Sequence, residues 1–186
     1  MTLAEFLAWE ERQELRYEFD GSAPVAMTGG TIAHDRITFN LQRSLDARLA
    51  GSRCRPFGPN VKIMTAGRVR YPDAFVTCVP VDPTATVADA PVVVFEVISD
   101  DTARTDRIEK LREYQATASI RRYAILEQKS IGAMVFARKG EDWVVTALTE
   151  PDTLDLPKIG IAIPMSELYA GLQLASSEQD VQPEAR

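Results

Sequence analysis

The sequence is poor in the residues from which metal centres and covalent frameworks are most often built. Its 186 residues include one histidine and two cysteines, which argues against a histidine-rich zinc site and a disulfide-stapled miniprotein. The spacing of Cys54 and Cys78 matches neither a zinc pattern nor a disulfide framework. A reducing cytoplasm is therefore the expected location.

Long apolar runs are also missing. No stretch reaches the roughly 18 uncharged apolar residues that a membrane span needs. The first residues, MTLAEFLAWEERQEL, carry acids where a secretory signal has lysines. With 45% apolar and 26% charged residues, the composition is that of a globular protein and not of a disordered or collagen-like chain. We expect one domain over residues 1–172, followed by a flexible acidic tail at 173–186.

The charge is unevenly distributed along the chain. The net charge of −6 argues against a nucleic-acid partner, yet residues 31–70 hold eight bases and two acids. A polyanion responds to such local charge and not to the net value. The alternative is a solvated helix face with exposed strand ends. The bases are Arg36, Arg43, Arg48, Arg53, Arg55, Lys62, Arg68 and Arg70.

Hydrophobic periodicity predicts helices alternating with strands. Apolar residues recur every fourth position from Ile37 to Leu49, ahead of Gly51, which predicts a helix at about 32–50. The nearly all-apolar run PVVVFEVIS predicts a strand at 91–99 that is buried on both faces. The chain should form an α/β (α+β) fold with helices packed on a sheet. Other helices are predicted at 2–13, 102–117 and 165–172, a loop at 80–91, and other strands at 16–21, 23–30, 54–57, 60–65, 73–78, 121–128, 132–139, 142–149 and 154–164.

Two carboxylates stand in unusual places. Glu96 interrupts the apolar strand, on the same face as Val94 and Ile98, and burying it costs several kcal/mol unless it is paired or metal-bound. Asp73 follows Tyr71-Pro72 at the margin of another strand. Carboxylates at strand ends, together with water and phosphate, suit Mg²⁺. Alternatively, Asp73 caps a turn and Glu96 pairs with an arginine.

Three further charged residues are candidates. Asp106 and Lys110 are four apart and share a helix face, which also describes an ordinary surface ion pair. A helix that follows the Glu96 strand could return Lys110 to the carboxylates, where a cation can offset phosphate charge. Glu18 alternates with Tyr17 and Phe19 in RYEFDG, so taken alone it should face solvent.

Together these residues resemble a known pattern. Pro72-Asp73, then Glu96 and a lysine, is similar to the PD-(D/E)XK nuclease superfamily, and most similar to its Uma-type restriction endonuclease family. The run E-V-x-S-x-x-T-x-x-x-D-x-x-x-K-x-x-x-Y from Glu96 to Tyr114 is its most specific part. The resemblance implies a restriction-endonuclease-like fold, with a central mixed sheet flanked by helices.

The resemblance also implies roles for single residues. Asp73 and Glu96 would bind Mg²⁺ or Mn²⁺. Lys110 would replace the superfamily's usual lysine, because Ile98 stands two residues after the glutamate. Asp106 would orient Lys110, and Glu18 would be an accessory acid. His34 and Gln115 are weaker site candidates, and the nucleic-acid contacts are assigned to His34, Arg36, Arg43, Arg53, Arg55 and Arg70.

The leading hypothesis is therefore a metal-dependent endonuclease that hydrolyses DNA through metal-activated water, with a homodimer as a possible assembly. An inactive module of the same fold, which binds nucleic acid or a protein partner, is the second hypothesis. A structural homo-oligomer whose acids are satisfied by salt bridges is the third.

Overall fold

A computed structural model describes residues 1–98 and 104–174 of the chain, without the side chains of residues 104–106. Its helices are α1 (Leu3–Glu10), α2 (Ile32–Leu49), α3 (Arg104–Ala116) and α4 (Met165–Leu168). Its strands are β1 (Tyr17–Phe19), β2 (Pro24–Ala26), β3 (Arg55–Phe57), β4 (Lys62–Thr65), β5 (Arg68–Arg70), β6 (Ala74–Thr77), β7 (Val87–Ala88), β8 (Pro91–Ile98), β9 (Arg122–Glu127), β10 (Gly132–Lys139), β11 (Asp142–Thr149), β12 (Thr153–Leu156) and β13 (Ile161–Pro164).

A six-stranded mixed sheet forms the centre, in the order β11-β10-β9-β8-β6-β3. Strands β8 and β9 are parallel, and α3 lies between them in the chain, as parallel pairing requires a crossover. The other pairs are antiparallel. The two edges differ, since β3 is short and contains Pro56, whereas β11 is long and leaves Val144 and Val145 about half exposed.

Helices α2 and α3 cover opposite faces of this sheet. The apolar stripe of α2, from Ile37 to Leu49, packs with Phe95 and Val97. Tyr114 of α3 packs with Val94 and the neighbouring strand residues Tyr123 and Ile125. Strand β8 is thus buried on both faces, and Glu96 lies on the face of Val94, as its alternation predicts.

A smaller sheet, in the order β2-β1-β5-β4-β7, adjoins the first. The hairpin β4–β5 turns through Ala66 and Gly67, which both have positive φ, as a two-residue hairpin turn of mirror-image type requires. Helix α1 begins at a capping box between Thr2 and Glu5 and buries Phe6 on Phe19 of β1. Helix α1 and the five strands of the smaller sheet therefore form a second layer beside the main sheet.

The C-terminal elements close the outer side of α2. Hairpin β12–β13 leads into α4, and the buried Asn40 amide donates to the carbonyls of Leu168 and Ala170. Arg48 donates to both oxygens of Glu167, at 2.8 and 2.7 Å, and Ser44 also donates to this carboxylate. These bonds fix α4 on α2 without involving the main sheet.

The expectation of two separate thiols was wrong, because Cys54 and Cys78 form a disulfide. They directly adjoin β3 and β6, whose register pairs Arg55 with Thr77. The next positions along both strands are the two cysteines, so the sheet brings together residues 24 apart in sequence. Spacing alone could not reveal this, since β3 was not known to pair with β6.

The predicted fold class is otherwise confirmed. The long helices and the strands from β8 to β11 lie where periodicity places them, and 154–164 forms the hairpin β12–β13. Two short strands, β5 and β7, were missed, the second inside the predicted loop. Of the predicted tail, residues 175–186 lie outside the described part. Within the described ranges, no helix combines the length and the apolar character needed to cross a membrane.

Candidate functional site

Asp73 and Glu96 lie side by side at one end of the main sheet. The antiparallel register of β6 and β8 pairs Ala74 with Phe95, and the next position on each strand is one of the two acids. Asp73 Oδ2 accepts a 2.7 Å hydrogen bond from the backbone N–H of Val97, while its side chain stays 13% exposed. The two strand ends thus present two carboxylates at one point.

The first turn of α2 adds His34 to this pair. Thr31 caps the helix by accepting from the His34 N–H, and the imidazole Nε2 lies 3.0 Å from Asp73 Oδ1. The hydrogen bond to Asp73 raises the pKa of His34, and burial only partly offsets that effect. Asp73 is therefore held through both oxygens, by a side chain of α2 and by the backbone of β8.

Glu96 is almost completely buried, yet its carboxylate has partners from α3. Tyr114 donates its hydroxyl to Oε1 at 2.8 Å, and Lys110 Nζ lies 3.3 Å from the same oxygen. Burial raises the pKa of Glu96 to about 7, since Lys110 and Tyr114 offset only part of the cost of removing the charge from water. Repulsion from Asp73 and Glu18 contributes to this rise in the pKa of Glu96.

Lys110 reaches the carboxylates from the helix, as its position after the Glu96 strand suggested. Residues 110 and 114 are one helical turn apart, so both side chains point at β8. Its ammonium also lies 3.7 Å from Glu18 Oε1. Lys110 is thus held between two acids from different sheets, and its side chain is only 12% exposed.

Glu18 is buried and does not face solvent as its strand alternation suggested. It accepts from Arg70 Nη1 at 3.0 Å and from the Tyr71 N–H at 3.1 Å. Arg70 in turn donates through Nε and Nη2 to Glu113 at 2.7 and 2.6 Å. Arg68, two residues earlier on β5, bonds to the same carboxylate. This buried network, defined by Glu18, Arg68, Arg70 and Glu113, stands directly behind Lys110.

Few features of the sequence predict this network. Arg68 and Arg70 share a face only because β5 is a strand, and β5 is three residues long. Glu113 precedes Tyr114 in the run from Glu96 to Tyr114, but its sequence position does not distinguish it from an ordinary helix glutamate. Tyr114 was identified only as the end of that run, and its bond to Glu96 was not anticipated.

The basic segment 31–70 separates into two groups. Four of its bases are engaged within the protein in ion pairs with acids elsewhere in the chain: Arg48, Lys62, Arg68 and Arg70. Arg70 therefore departs from its expected nucleic-acid contact, because its guanidinium is buried between two carboxylates. The other four bases of the segment are exposed: Arg36, Arg43, Arg53 and Arg55.

The remaining candidates lie elsewhere. Asp106 belongs to α3, but its side chain lies outside the described residues. Gln115 is at the far end of α3, where its carbonyl accepts from Arg138. Ile98, at the usual lysine position, packs against the core beneath α3.

Comparisons with known proteins agree on the family. A family model described as "Uma2: Putative restriction endonuclease" matches residues 3–166, which include every site residue named above. The chain belongs to the Uma2 family. Two uncharacterized proteins of Synechocystis are similar, one 30% identical over 172 residues with 90% of each chain covered, the other 25% identical over 154 residues with 80% of this chain and 87% of the relative covered.

A solved structure has the same fold. The crystal structure of "a putative nuclease belonging to DUF820" from Anabaena variabilis superposes with a TM-score of 0.74, at 16% identity, and covers 91% of this chain and 97% of that one. The Uma2 chain is thus spanned almost entirely by one nuclease-like fold.

The residues present fit the divalent metal that Uma2 membership implies. The described part of the chain has no group of three or more His, Cys, Asp or Glu side chains arranged around a metal position. Mg²⁺, however, commonly takes one or two carboxylates and completes its shell with water and substrate phosphate. Among the described residues, Lys110 and Tyr114 both bond to Glu96 Oε1, and Oε2 is the oxygen that would bind the ion beside Asp73.

Proposed function

We propose that the protein is a metal-dependent endonuclease that hydrolyses phosphodiester bonds of DNA. The observation that carries the proposal is the convergence of Asp73, Glu96 and Lys110 at one end of the sheet, in a member of a restriction endonuclease family. A bound Mg²⁺ or Mn²⁺ would supply Lewis acidity and a water of lowered pKa.

The protein's own residues would prepare this reaction. Asp73 and Glu96 would hold the ion, with Asp73 oriented by His34 and by the Val97 N–H. Tyr114 fixes the Glu96 carboxylate through its hydroxyl. Lys110 would place a positive charge beside the attacked phosphate and stabilise the charge that develops there. Glu18 would restrain the ammonium from the other side.

Substrate binding is assigned to the exposed side of α2. Arg36 and Arg43 are seven residues apart and share a helix face, and Phe39 between them is 53% exposed. The Arg36 guanidinium lies 5.8 Å from the Phe39 ring centre. Arginines that neutralise phosphates and an aromatic ring that stacks on a base are the usual elements of nucleic-acid contacts. The same helix carries His34, and Arg53 and Arg55 follow its far end.

A plasmid-nicking assay tests the catalytic proposal. Wild type should nick supercoiled DNA with Mn²⁺ or Mg²⁺ and not with EDTA, and Asp73→Asn and Lys110→Met should lose roughly a hundredfold or more. Asp46→Asn is the matched control, because Asp46 is exposed on α2. Loss with Asp73→Asn but not with Lys110→Met would remove Lys110 from the mechanism.

A second candidate is a non-catalytic module of the same fold. It is favoured by Ile98, which packs in the core where the superfamily has its lysine. Such a module would bind nucleic acid or a protein partner, retain salt-dependent DNA affinity in Asp73→Asn, and never nick. Absence of nicking by folded wild type across metals and DNA forms would favour it.

Assembly and location also remain proposals. A homodimer would form most readily along β11, the exposed edge strand of the main sheet. Sedimentation of wild type beside a Val145→Lys variant tests this, because a charge on the edge should yield monomers.

A cytoplasmic location is proposed on the sequence, and there the Cys54–Cys78 pair would be kept reduced. Thiol alkylation of protein taken directly from cells tests that state.

A further inference from the structure

A basic pocket, lined by Arg121, Arg122, Ala137, Arg138, Pro157 and Lys158, lies at the other end of the main sheet. Its volume is about 390 Å³. Four of the six lining residues are cationic and none is acidic. No ion pair among the described residues involves any of the four. In a protein of net charge −6, such a concentration of unneutralised positive charge needs its own explanation.

This pocket is separate from the Asp73–Glu96 site. Arg122 pairs with Val93 in the parallel register of β8 and β9. Glu96 lies three residues further along β8, about 10 Å away at 3.3 Å per residue. The pocket is at the start of these two strands, whereas the carboxylates are near their end. A ligand in the pocket therefore needs no contact with the catalytic carboxylates.

Arg138 borders the basic pocket at the end of β10, where its side chain is fixed on the end of α3. Its Nε donates to the Ile120 carbonyl at 3.2 Å, and its Nη2 donates to the carbonyls of Gln115 and Thr117 at 2.5 and 3.3 Å. The guanidinium also lies 4.7 Å from the Trp143 ring centre. These contacts hold the Arg138 guanidinium on the α3 face of the sheet, with Phe136 and Trp143, whereas Arg122 lies on the α2 face with Ala124 and Leu126. The pocket cations available to a ligand on that face are therefore Arg122 and Lys158.

We propose that the basic pocket binds a phosphate group. Guanidinium groups match phosphate oxygens through paired N–H donors, and Lys158 adds a point charge. The tetrahedral phosphate dianion is small enough for the cavity, and its two negative charges would offset two of the four positive charges that line it. The phosphate could belong to a nucleic-acid backbone or to a small phosphorylated molecule, and the two sources call for separate probes.

The test compares Arg122→Gln/Lys158→Gln with the control Arg12→Gln/Arg112→Gln, which removes two exposed charges elsewhere. Arg138 is left intact because it holds the end of α3. Binding is measured in EDTA, by calorimetry with pyrophosphate and by fluorescence anisotropy with a labelled 16-residue oligothymidylate. EDTA removes metal from the Asp73–Glu96 site, so failure here is distinguishable from failure of the nuclease proposal.

A small phosphorylated ligand predicts one pyrophosphate per wild-type chain and at least tenfold weaker binding by the pocket variant. A backbone ligand predicts weaker oligonucleotide binding by the pocket variant, with the slope of log K against log salt reduced by about 1.4 for two lost contacts. Either result supports the phosphate site. It is overturned if both probes bind the pocket variant as tightly as the control.

Discussion

Arg70 joins Glu18 to Glu113 through three nitrogen donors inside the protein. Burial alone would lower its pKa, but the two carboxylates raise the pKa of Arg70 overall. Glu18 also lies 3.7 Å from Lys110. Glu18 therefore stands between the Arg70 guanidinium and Lys110, the catalytic candidate. This arrangement makes Arg70 a positioning residue for Lys110.

Replacing Arg70 should therefore affect folding and cleavage together. Arg70→Met removes the cation that two buried acids share, and we expect the free energy of unfolding to fall by about 3–5 kcal/mol, measured by urea denaturation. Arg70→Lys keeps the charge but not the forked geometry. It should keep more stability than Arg70→Met, yet cleave more slowly than wild type. Full cleavage by a stable Arg70→Lys protein would contradict the positioning role.

Phe39→Ala tests the substrate surface without touching the catalytic carboxylates. If bases stack on the ring, affinity for single-stranded DNA should fall by about 1–3 kcal/mol, measured by anisotropy in EDTA. The slope of affinity against salt should stay unchanged, because no phosphate contact is lost. Arg43→Gln should do the reverse and lower that slope. Equal DNA affinity of Phe39→Ala and wild type would remove the stacking contact.

The bond between α2 and α4 should make stability depend on pH. Arg48 and Ser44 lower the pKa of Glu167 below its usual value near 4.5. The folded state thus favours the ionised Glu167 carboxylate. The resulting stabilisation is present at pH values above the pKa of Glu167 in the unfolded chain, and it is lost as the pH falls through the pKa of Glu167 in the folded protein. We expect Glu167→Gln to lower unfolding free energy at pH 7 by about 1–2 kcal/mol.

The difference in unfolding free energy between wild type and Glu167→Gln should disappear as the pH is lowered from about 5 to 3. Urea denaturation at each pH measures this difference. Glu141→Gln provides the control, because Glu141 is exposed in a turn and its replacement should change stability little at any pH. A difference for Glu167→Gln that stayed constant with pH would show that geometry, and not charge, holds α4.

The disulfide should stabilise the domain chiefly by restricting the unfolded chain. It closes a segment of 24 residues, for which the loss of loop entropy corresponds to about 3 kcal/mol. Dithiothreitol should lower the unfolding midpoint of wild type. The double variant Cys54→Ala/Cys78→Ala should not respond to it. A midpoint of wild type that is the same with and without the reductant would contradict the expectation.

The sequence predicted the positions of the long helices and strands and identified the main acids of the candidate site. Glu96 stood out because a carboxylate in an apolar strand needs a partner, and its face followed from alternation with Val94. Asp73 became a candidate at a strand margin and Lys110 on the helix after the Glu96 strand, and the family pattern then assigned their roles. The register of β6 and β8 brings the two acids together. These inferences depend on local periodicity and on a motif, and both can be recognised within single segments of the sequence.

What was missed depends on long-range pairing. Glu18 looked solvent-facing because its strand was considered alone, whereas β5 covers it with Arg70. The basic segment looked like one surface, yet half of its cations turn inward to acids far away in sequence. The disulfide was missed for the same reason. Each error concerns a partner supplied by a different element, which single-segment patterns do not specify.

The two edges of the main sheet set a limit on how copies of this chain could add strands to one another. Pro56 has no N–H to offer a neighbour, and β3 is only three residues long. Strand β11 has eight residues and no such block. Growth through β11 alone ends once two such edges have met, because the remaining edge on each copy is closed. Strand addition through the main sheet would therefore stop at a pair and could not propagate into a fibre.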